Sequence, residues 1–159
     1  MQTLIKCNLL LVLGMVFSVS VFGQTPEMIE KELLAVFGKI NENSAYKNNH
    51  DSELLEKSNE EFKDKLLKYT KLASTLKYKF IELEKEVSIS ISTSEDGKFR
   101  VYTWDTLGGG TMHFFETVYQ YEGANGQVYS KSRELEEGDA GSFVHDLFTY
   151  RSRTGRGRS

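Results

Sequence analysis

The sequence predicts an α+β fold in which two N-terminal helices pack on an antiparallel β-meander of four to five strands. Between residues 26 and 83, apolar residues recur every three or four positions, which is the spacing of amphipathic helices. Between residues 87 and 132, branched and aromatic residues alternate with polar ones, which is the spacing of strands. Glycine-containing turns separate the alternating segments, so we expect consecutive hairpins.

Residues 1–23 have the features of a secretory signal peptide. Lys6 precedes an apolar run that extends to Phe22, and the predicted cleavage site lies before Gln24. The run is shorter than the ~20 residues that a membrane-spanning helix requires. Cys7 precedes the apolar run instead of following it, which argues against a lipoprotein. We therefore expect a secreted or periplasmic protein.

Cleavage at this site would leave a single α+β domain of residues 24–150 and a basic tail of residues 151–159. The only cysteine, Cys7, lies in the signal peptide, so the mature chain has no disulfide, thiolate metal site or cysteine nucleophile. The net charge of the whole chain is −3, which predicts no general affinity for nucleic acid. The tail is rich in arginine, serine and glycine, so we expect disorder. The abrupt change of composition at Arg151 leaves a truncated reading frame open as an alternative.

Two helices account for the front half of the mature chain. Thr25 and Pro26 are a helix start signal, and apolar spacing continues to about Ile40. From Ser52 to about Leu83 neither glycine nor proline interrupts the apolar spacing, so one long helix is predicted. Polar residues interrupt its seam, and we therefore expect it to pack on the sheet or the first helix instead of forming a coiled coil.

The turn that contains Gly97 leaves the register of the first two strands open. If two residues form the turn, Ile89 and Ile91 share a face with Tyr102 and Trp104. If three residues form it, with Gly97 left-handed, the two isoleucines lie on the opposite face from Tyr102 and Trp104. We favour the three-residue turn, because it gathers the purely aliphatic residues on one core face.

The remaining strands follow the same alternation. The third strand is predicted from Met112 to Tyr121, and the fourth covers residues 127–132. Residues 143–150 form a short final element that is a strand by preference. One face of the third strand consists of His113, Phe115, Thr117, Tyr119 and Tyr121.

Aromatic residues on these strands are the main indication of a binding surface. Flat aromatic faces on a sheet form platforms for sugars or peptides. The alternative is that these rings belong to the core, which is their more common role on strands. We predict the following ligand-binding residues: Tyr102, Trp104, His113, Phe115 and Tyr119.

The sequence predicts no catalytic residue, no metal site and no cofactor. His50, His113 and His145 lack the spacing of a metal-binding motif. Asp105, Glu116 and His113 are the residues that a hydrolase would use, but nothing in their spacing requires an acid–base pair.

The segment DGKFRVYTWDT at residues 96–106, together with GGTMHFF at residues 109–115, resembles uncharacterised secreted proteins of Bacteroidetes-type bacteria. The resemblance implies an exported envelope protein whose sheet continues with further strands, and it supplies no activity or site residues. Residues 94–106 also resemble one strand pair of a WD-type propeller blade, but a single copy does not predict a propeller.

Together these patterns predict an exported envelope binding or interaction protein without catalytic activity. Its expected partner is a glycan, a peptide or an envelope protein, and not a nucleic acid. No transmembrane segment is expected after signal cleavage. Two alternatives remain open: a hydrolase that acts on glycan or peptide, and an inhibitor or immunity-type protein that blocks a partner enzyme.

Overall fold

The computed structural model describes residues 23–148, together with the backbone of residues 150–151 and 157–158. Three α-helices precede a four-stranded antiparallel sheet, so the predicted α+β class is confirmed. The predicted signal peptide and most of the predicted basic tail lie outside these residues. Within them, no helix has the length and apolar character needed to cross a membrane.

The sheet is a meander in which every strand pairs with its neighbours in the sequence. A separate ladder joins two further strands of two residues each. The elements are α1 (Pro26–Glu42), α2 (Ser52–Tyr69), α3 (Ala73–Lys77), a 3₁₀ turn (Leu83–Lys85), β1 (Ile89–Thr93), β2 (Phe99–Asp105), β3 (Phe115–Glu122), β4 (Val128–Ser132), β5 (Tyr150–Arg151) and β6 (Gly157–Arg158).

The first helix begins and packs as its sequence predicts. The hydroxyl of Thr25 accepts a hydrogen bond from the backbone N–H of Met28 at 3.4 Å, and Pro26 occupies the first helical position, where its missing N–H costs nothing. The buried apolar side chains of this helix are Ile29, Leu33, Val36, Phe37 and Ile40.

The predicted long helix over residues 52–83 is wrong, because α2 ends at Tyr69. The hydroxyl of Thr70 donates to the carbonyl of Leu66 at 2.6 Å and lies 2.6 Å from the hydroxyl of Ser130 on β4. A contact with the sheet therefore caps the last helical turn. This contact is distant in sequence, so no local composition signal marks the helix end.

The chain after α2 is held by two buried charged side chains. On β2, Nη1 of Arg100 donates to the backbone carbonyls of Thr75 and Tyr78 at 2.9 and 2.7 Å. On α1, the Glu30 carboxylate accepts from the Tyr78 hydroxyl at 2.7 Å and from the backbone N–H of Leu83 at 3.1 Å. In a continuous helix the carbonyl of Tyr78 would accept from the backbone N–H of Glu82, which here donates to the Glu30 carboxylate at 2.8 Å. The two charged side chains therefore replace helical hydrogen bonds.

The turn between β1 and β2 has four residues, not two or three. The backbone N–H of Ser94 donates to the carbonyl of Phe99 at 2.8 Å, which leaves residues 95–98 in the loop. Gly97 has a φ of +69°, so the expected left-handed glycine is present. Because the loop has an even number of residues, the same side chains share a face as in a two-residue turn.

The favoured register is consequently wrong. Ile89 lies opposite Trp104, and Ile91 lies opposite Tyr102. All four side chains belong to the face that packs on the helices, where Tyr102 and Trp104 have no exposed area. The Trp104 ring meets Phe62 of α2 edge-on, with centroids 5.1 Å apart. The largest rings of β2 therefore form the helix–sheet core.

Replacing Arg100 with methionine tests the role of its guanidinium. Arg100→Met keeps the aliphatic stem but leaves the buried carbonyls of Thr75 and Tyr78 without their donor, so we expect the free energy of unfolding to fall by about 3 kcal/mol. Urea denaturation measures the change. The matched control is Lys85→Met, which removes an exposed cation paired with Glu82 and should cost less than about 1 kcal/mol. Equal losses would contradict this role.

Because Tyr78 donates a hydrogen bond to Glu30, the free energy of unfolding should change with pH in the alkaline range. This bond raises the pKa of Tyr78 to about 12 from an ordinary value of 10.0. The folded state therefore favours the protonated phenol, and its stabilisation is complete below pH 10 and lost as pH rises towards 12. We expect the stability advantage of the wild type over Tyr78→Phe to decline across this window in urea denaturation. A constant difference would contradict the prediction.

Candidate functional site

The sheet has an outer face, which points away from α1 and α2. Side chains alternate along each strand, so Val101, Thr103 and Asp105, which are adjacent in sequence to the buried Tyr102 and Trp104, lie on this face. The alternation predicted for the third strand is confirmed from Phe115 onward, where β3 begins. The outer face includes Ser90, Ser92, Val101, Thr103, Asp105, Phe115, Thr117, Tyr119 and Tyr121.

Two of the five predicted ligand-binding residues have no surface available to a ligand. The hydroxyl of Tyr102 donates to Oε1 of Gln120 at 2.8 Å, and Nε1 of Trp104 donates to Oδ1 of Asn59 at 3.0 Å. Burial also raises the pKa of Tyr102 to about 12. Both rings are satisfied core residues, because the register that would expose them does not form.

The other three predicted residues reach the outer face but lie at opposite ends of it. His113 and Phe115 stack near the β2–β3 loop, with centroids 6.0 Å apart and an interplanar angle of 9°. Tyr119 stacks on Phe99 near the other end, at 6.1 Å and 16°. The second group also contains a stacked tyrosine pair. We call this group the turn-end cluster: Phe99, Tyr119, Tyr121 and Tyr129.

Residues 139–148, which we call the C-terminal segment, cross the outer face from β3 to β1. The backbone N–H of Phe115 donates to the carbonyl of Ala140 at 2.8 Å, and the hydroxyl of Ser92 donates to the carbonyl of His145 at 2.6 Å. A strand is predicted over residues 143–150; residues 143–148 have no regular secondary structure, and Tyr150 is the first residue of β5. The segment lies across the sheet instead of pairing along an edge.

A glycine permits this crossing. Gly141 has a φ of +76°, and a Cβ atom at this position would lie 2.1 Å from the carbonyl oxygen of Phe115. No side chain fits at that distance, and L residues also avoid this backbone conformation. Because residue 141 is a glycine, the segment can pass close to the backbone of β3 at Phe115.

A cavity of about 330 Å³ forms where the segment meets the β2–β3 loop. We call it the histidine cleft. Its lining residues are Val87, Ser88, Asp105, His113, Phe115, Phe143 and His145.

A continuous run of rings forms one wall of the histidine cleft. After the stacked pair of His113 and Phe115, Phe143 follows at 5.3 Å from Phe115, tilted by 55°. His145 meets Phe143 at 4.7 Å and 66°. At the other end of the run, Tyr46 lies 6.1 Å from His113. Three chain segments thus contribute rings to one surface, which the sequence pattern of β3 alone does not reveal.

Asp105 holds the His113 ring in one orientation. The Asp105 carboxylate is almost fully buried; it accepts from the backbone N–H of Leu107 at 2.9 Å and is hydrogen-bonded to Nδ1 of His113. An ionised carboxylate only accepts hydrogen bonds, so Nδ1 carries a proton, and in the neutral form of the ring Nε2 is then an acceptor. The sequence offered both residues as candidates, but only the fold brings them together.

A second cavity, of about 460 Å³, lies on the other side of the sheet against α2. Its ionic groups include Lys63 and Glu116, which form an ion pair at 2.8 Å. Glu116, considered above as a catalytic acid, therefore lies on the opposite face from Asp105 and His113. In the described part of the chain, no group of three or more His, Cys, Asp or Glu side chains has an arrangement that could hold a metal ion.

Adding a methyl group at Gly141 tests the close approach that shapes the cleft. In Gly141→Ala the new Cβ would overlap the carbonyl oxygen of Phe115, so we expect the segment to lift and the Phe115 amide to exchange with solvent at least about tenfold faster. Hydrogen exchange measured by NMR gives the rate.

The matched control is Gly138→Ala. Gly138 also has a positive φ, of +84°, but no atom lies within 4 Å of the position that a Cβ atom would take. This variant carries only the backbone strain of about 1 kcal/mol. Equal protection of the Phe115 amide in the two variants would show that the close approach does not hold the segment.

Comparison with known proteins leaves the function to be argued from this geometry. No family model, no curated protein and no solved structure matches the chain. The similarity to uncharacterised secreted Bacteroidetes-type proteins therefore stays a prediction from the residues that carry it.

Proposed function

We propose that the protein is an exported binding protein of the cell envelope, without catalytic activity, that holds its ligand in the histidine cleft. The observation that supports this function is a run of rings, with exposed histidines and half-buried phenylalanines, beside the hydrogen-bonded pair of Asp105 and His113. Rings on a sheet normally serve the core. Here the His113 side chain keeps 56 % of its surface exposed.

The cleft is organised before any ligand arrives. A backbone hydrogen bond from Phe115 and a side-chain hydrogen bond from Ser92 hold the segment on the sheet, and the Asp105 carboxylate orients the His113 ring. A site whose side chains are already ordered loses less conformational entropy on binding. Exposed rings with few charged groups suit a sugar ring or a peptide side chain, so a glycan or a peptide is the expected ligand.

The proposed location depends on the predicted signal peptide. Export to the periplasm or beyond would place the cleft among envelope glycans and peptides. Sequencing the N-terminus of the protein recovered outside the cytoplasm tests this step, and Gln24 is the expected first residue.

Titration with fragments of envelope glycans and envelope peptides tests the binding function. In two-dimensional NMR spectra of the exported protein, we expect shifts to concentrate at the Phe115 amide and at residues 140–145. Phe143→Ala should weaken binding about tenfold, because one ring contact contributes about 1 kcal/mol or more. The matched control, Tyr121→Ala in the turn-end cluster, should leave affinity unchanged. Shifts at the turn-end cluster, or none anywhere, would contradict the proposal.

A hydrolase is the second candidate, and the pairing of Asp105 with His113 favours it. A carboxylate that orients an imidazole is a common general acid–base arrangement. The described residues, however, place no serine or threonine hydroxyl within hydrogen-bonding distance of His113. The same titrations separate the two functions: a hydrolase consumes the fragment and loses turnover in His113→Asn, whereas a binding protein returns it unchanged.

A further inference from the structure

The geometry of the histidine cleft points to a site for a primary ammonium group, carried by a lysine side chain of a peptide or by an amino sugar. This inference rests on the proposed function and adds the chemical class of the ligand. Three properties of the cleft support it: its net charge, its free acceptor and its ring faces.

The charge of the cleft is negative. Asp105 is the only carboxylate among the lining residues, and these residues include no lysine or arginine. Its carboxylate accepts from the Leu107 backbone N–H and from Nδ1 of His113, and when the His113 ring is in its neutral form neither donor carries a charge. The negative charge is therefore solvated but not neutralised, and it is only slightly exposed to water. Coulomb attraction for a cation is stronger at such a shielded site than at the open surface.

A free acceptor stands beside this charge. With the proton on Nδ1 directed to Asp105, Nε2 of His113 has a lone pair and no partner among the described residues. The carboxylate strengthens this acceptor by polarising the ring. The Ser88 side chain also lines the cavity. An ammonium group has three N–H donors, so it can use these acceptors, whereas a carboxylate or phosphate ligand would be repelled by Asp105.

The rings supply the remaining contacts for a cation. The planes of Phe115 and Phe143 meet at 55°, and His145 continues the wall at 66° to Phe143. A cation within about 6 Å of such ring faces is attracted by their quadrupoles, and the attraction grows when water is excluded. The cavity volume of about 330 Å³ suits one side chain or one sugar ring.

The other outer-face cluster lacks this preference. The turn-end cluster has a lysine beside it on β4, because Lys131 lies opposite Tyr119. Lys98 also lies at this end, where it pairs with Glu122 at 3.4 Å. A cationic ligand is therefore attracted to the histidine cleft and not to the turn-end cluster, which gives the inference a spatial test.

Matched pairs of small probes test the inference at neutral pH. Nα-acetyl-lysine methylamide is compared with its norleucine counterpart, and glucosamine with glucose, by NMR titration of the exported protein. We expect at least one amine to bind about tenfold more tightly than its neutral partner, with shifts at Phe115 and residues 140–145. Preference for the lysine probe would indicate a peptide ligand, and preference for glucosamine would indicate an amino sugar.

Two variants separate charge from shape. Asp105→Asn keeps an oxygen acceptor for Leu107 but removes the charge, so the ratio of amine affinity to neutral-probe affinity should fall about tenfold, towards one. If this variant fails to fold, Phe143→Leu removes a ring face without changing the charge and should reduce the advantage severalfold. Glu116→Gln, which removes a carboxylate on the opposite sheet face, is the control and should change neither affinity.

The outcomes distinguish the inference from the proposed function. If amines bind no more tightly than their neutral partners in the cleft, the ammonium inference is overturned while the binding function stands. If neither these probes nor the glycan and peptide fragments perturb the cleft, both are wrong. An amine preference that survives in Asp105→Asn also overturns the assignment, because the charge that carries it would lie elsewhere.

Discussion

The buried guanidinium of Arg100 is the constraint on which both faces of the sheet depend. Its side chain enters the helix-facing side of β2, where it donates to the carbonyls of Thr75 and Tyr78 and to the hydroxyl of Thr93. Hydrogen bonds compensate the cost of removing a charge from water. These carbonyls must leave helical pairing to meet it. The irregular path from Tyr78 to β1 follows from this requirement, whereas α2 already ends at Tyr69, where Thr70 contacts Ser130.

The strand register that directs Arg100 towards the helices also positions the candidate site. Because Arg100, Tyr102 and Trp104 face the helices, the alternation of β2 directs Thr103 and Asp105 to the outer face. Asp105 is the last residue of the strand, so it lies beside the loop that carries His113. The register that buries Trp104 therefore also places the Asp105 carboxylate in the cleft.

Local periodicity predicted what depends on local structure. The α+β class, the first helix and the alternation of β3 follow from spacings of 3.6 and two residues, which short windows contain. The strand register depended on whether the loop at residues 95–98 has an odd or even length, and hairpin residues alone do not decide this. The break after Tyr69 and the cleft depend on contacts more than 20 residues apart, such as Thr70 with Ser130 and Ser92 with His145. No short pattern encodes them.

The outer face is built in a way that stability alone does not explain. Thr103 on this face is fully buried, and within the described structure its hydroxyl has no hydrogen-bond partner. Leaving such a group unpaired costs about 1–3 kcal/mol, and a valine at this position would avoid the cost. The crossing also requires a glycine at residue 141 with a positive φ. Both costs accompany one arrangement, which places Phe143 and His145 beside Phe115 and the pair of Asp105 and His113. Thr103 is two residues from Asp105 on β2, and Gly141 is two residues from Phe143, so both costs lie next to the histidine cleft. Such departures from the most stable choice are typical of functional sites, which supports the role proposed for the cleft.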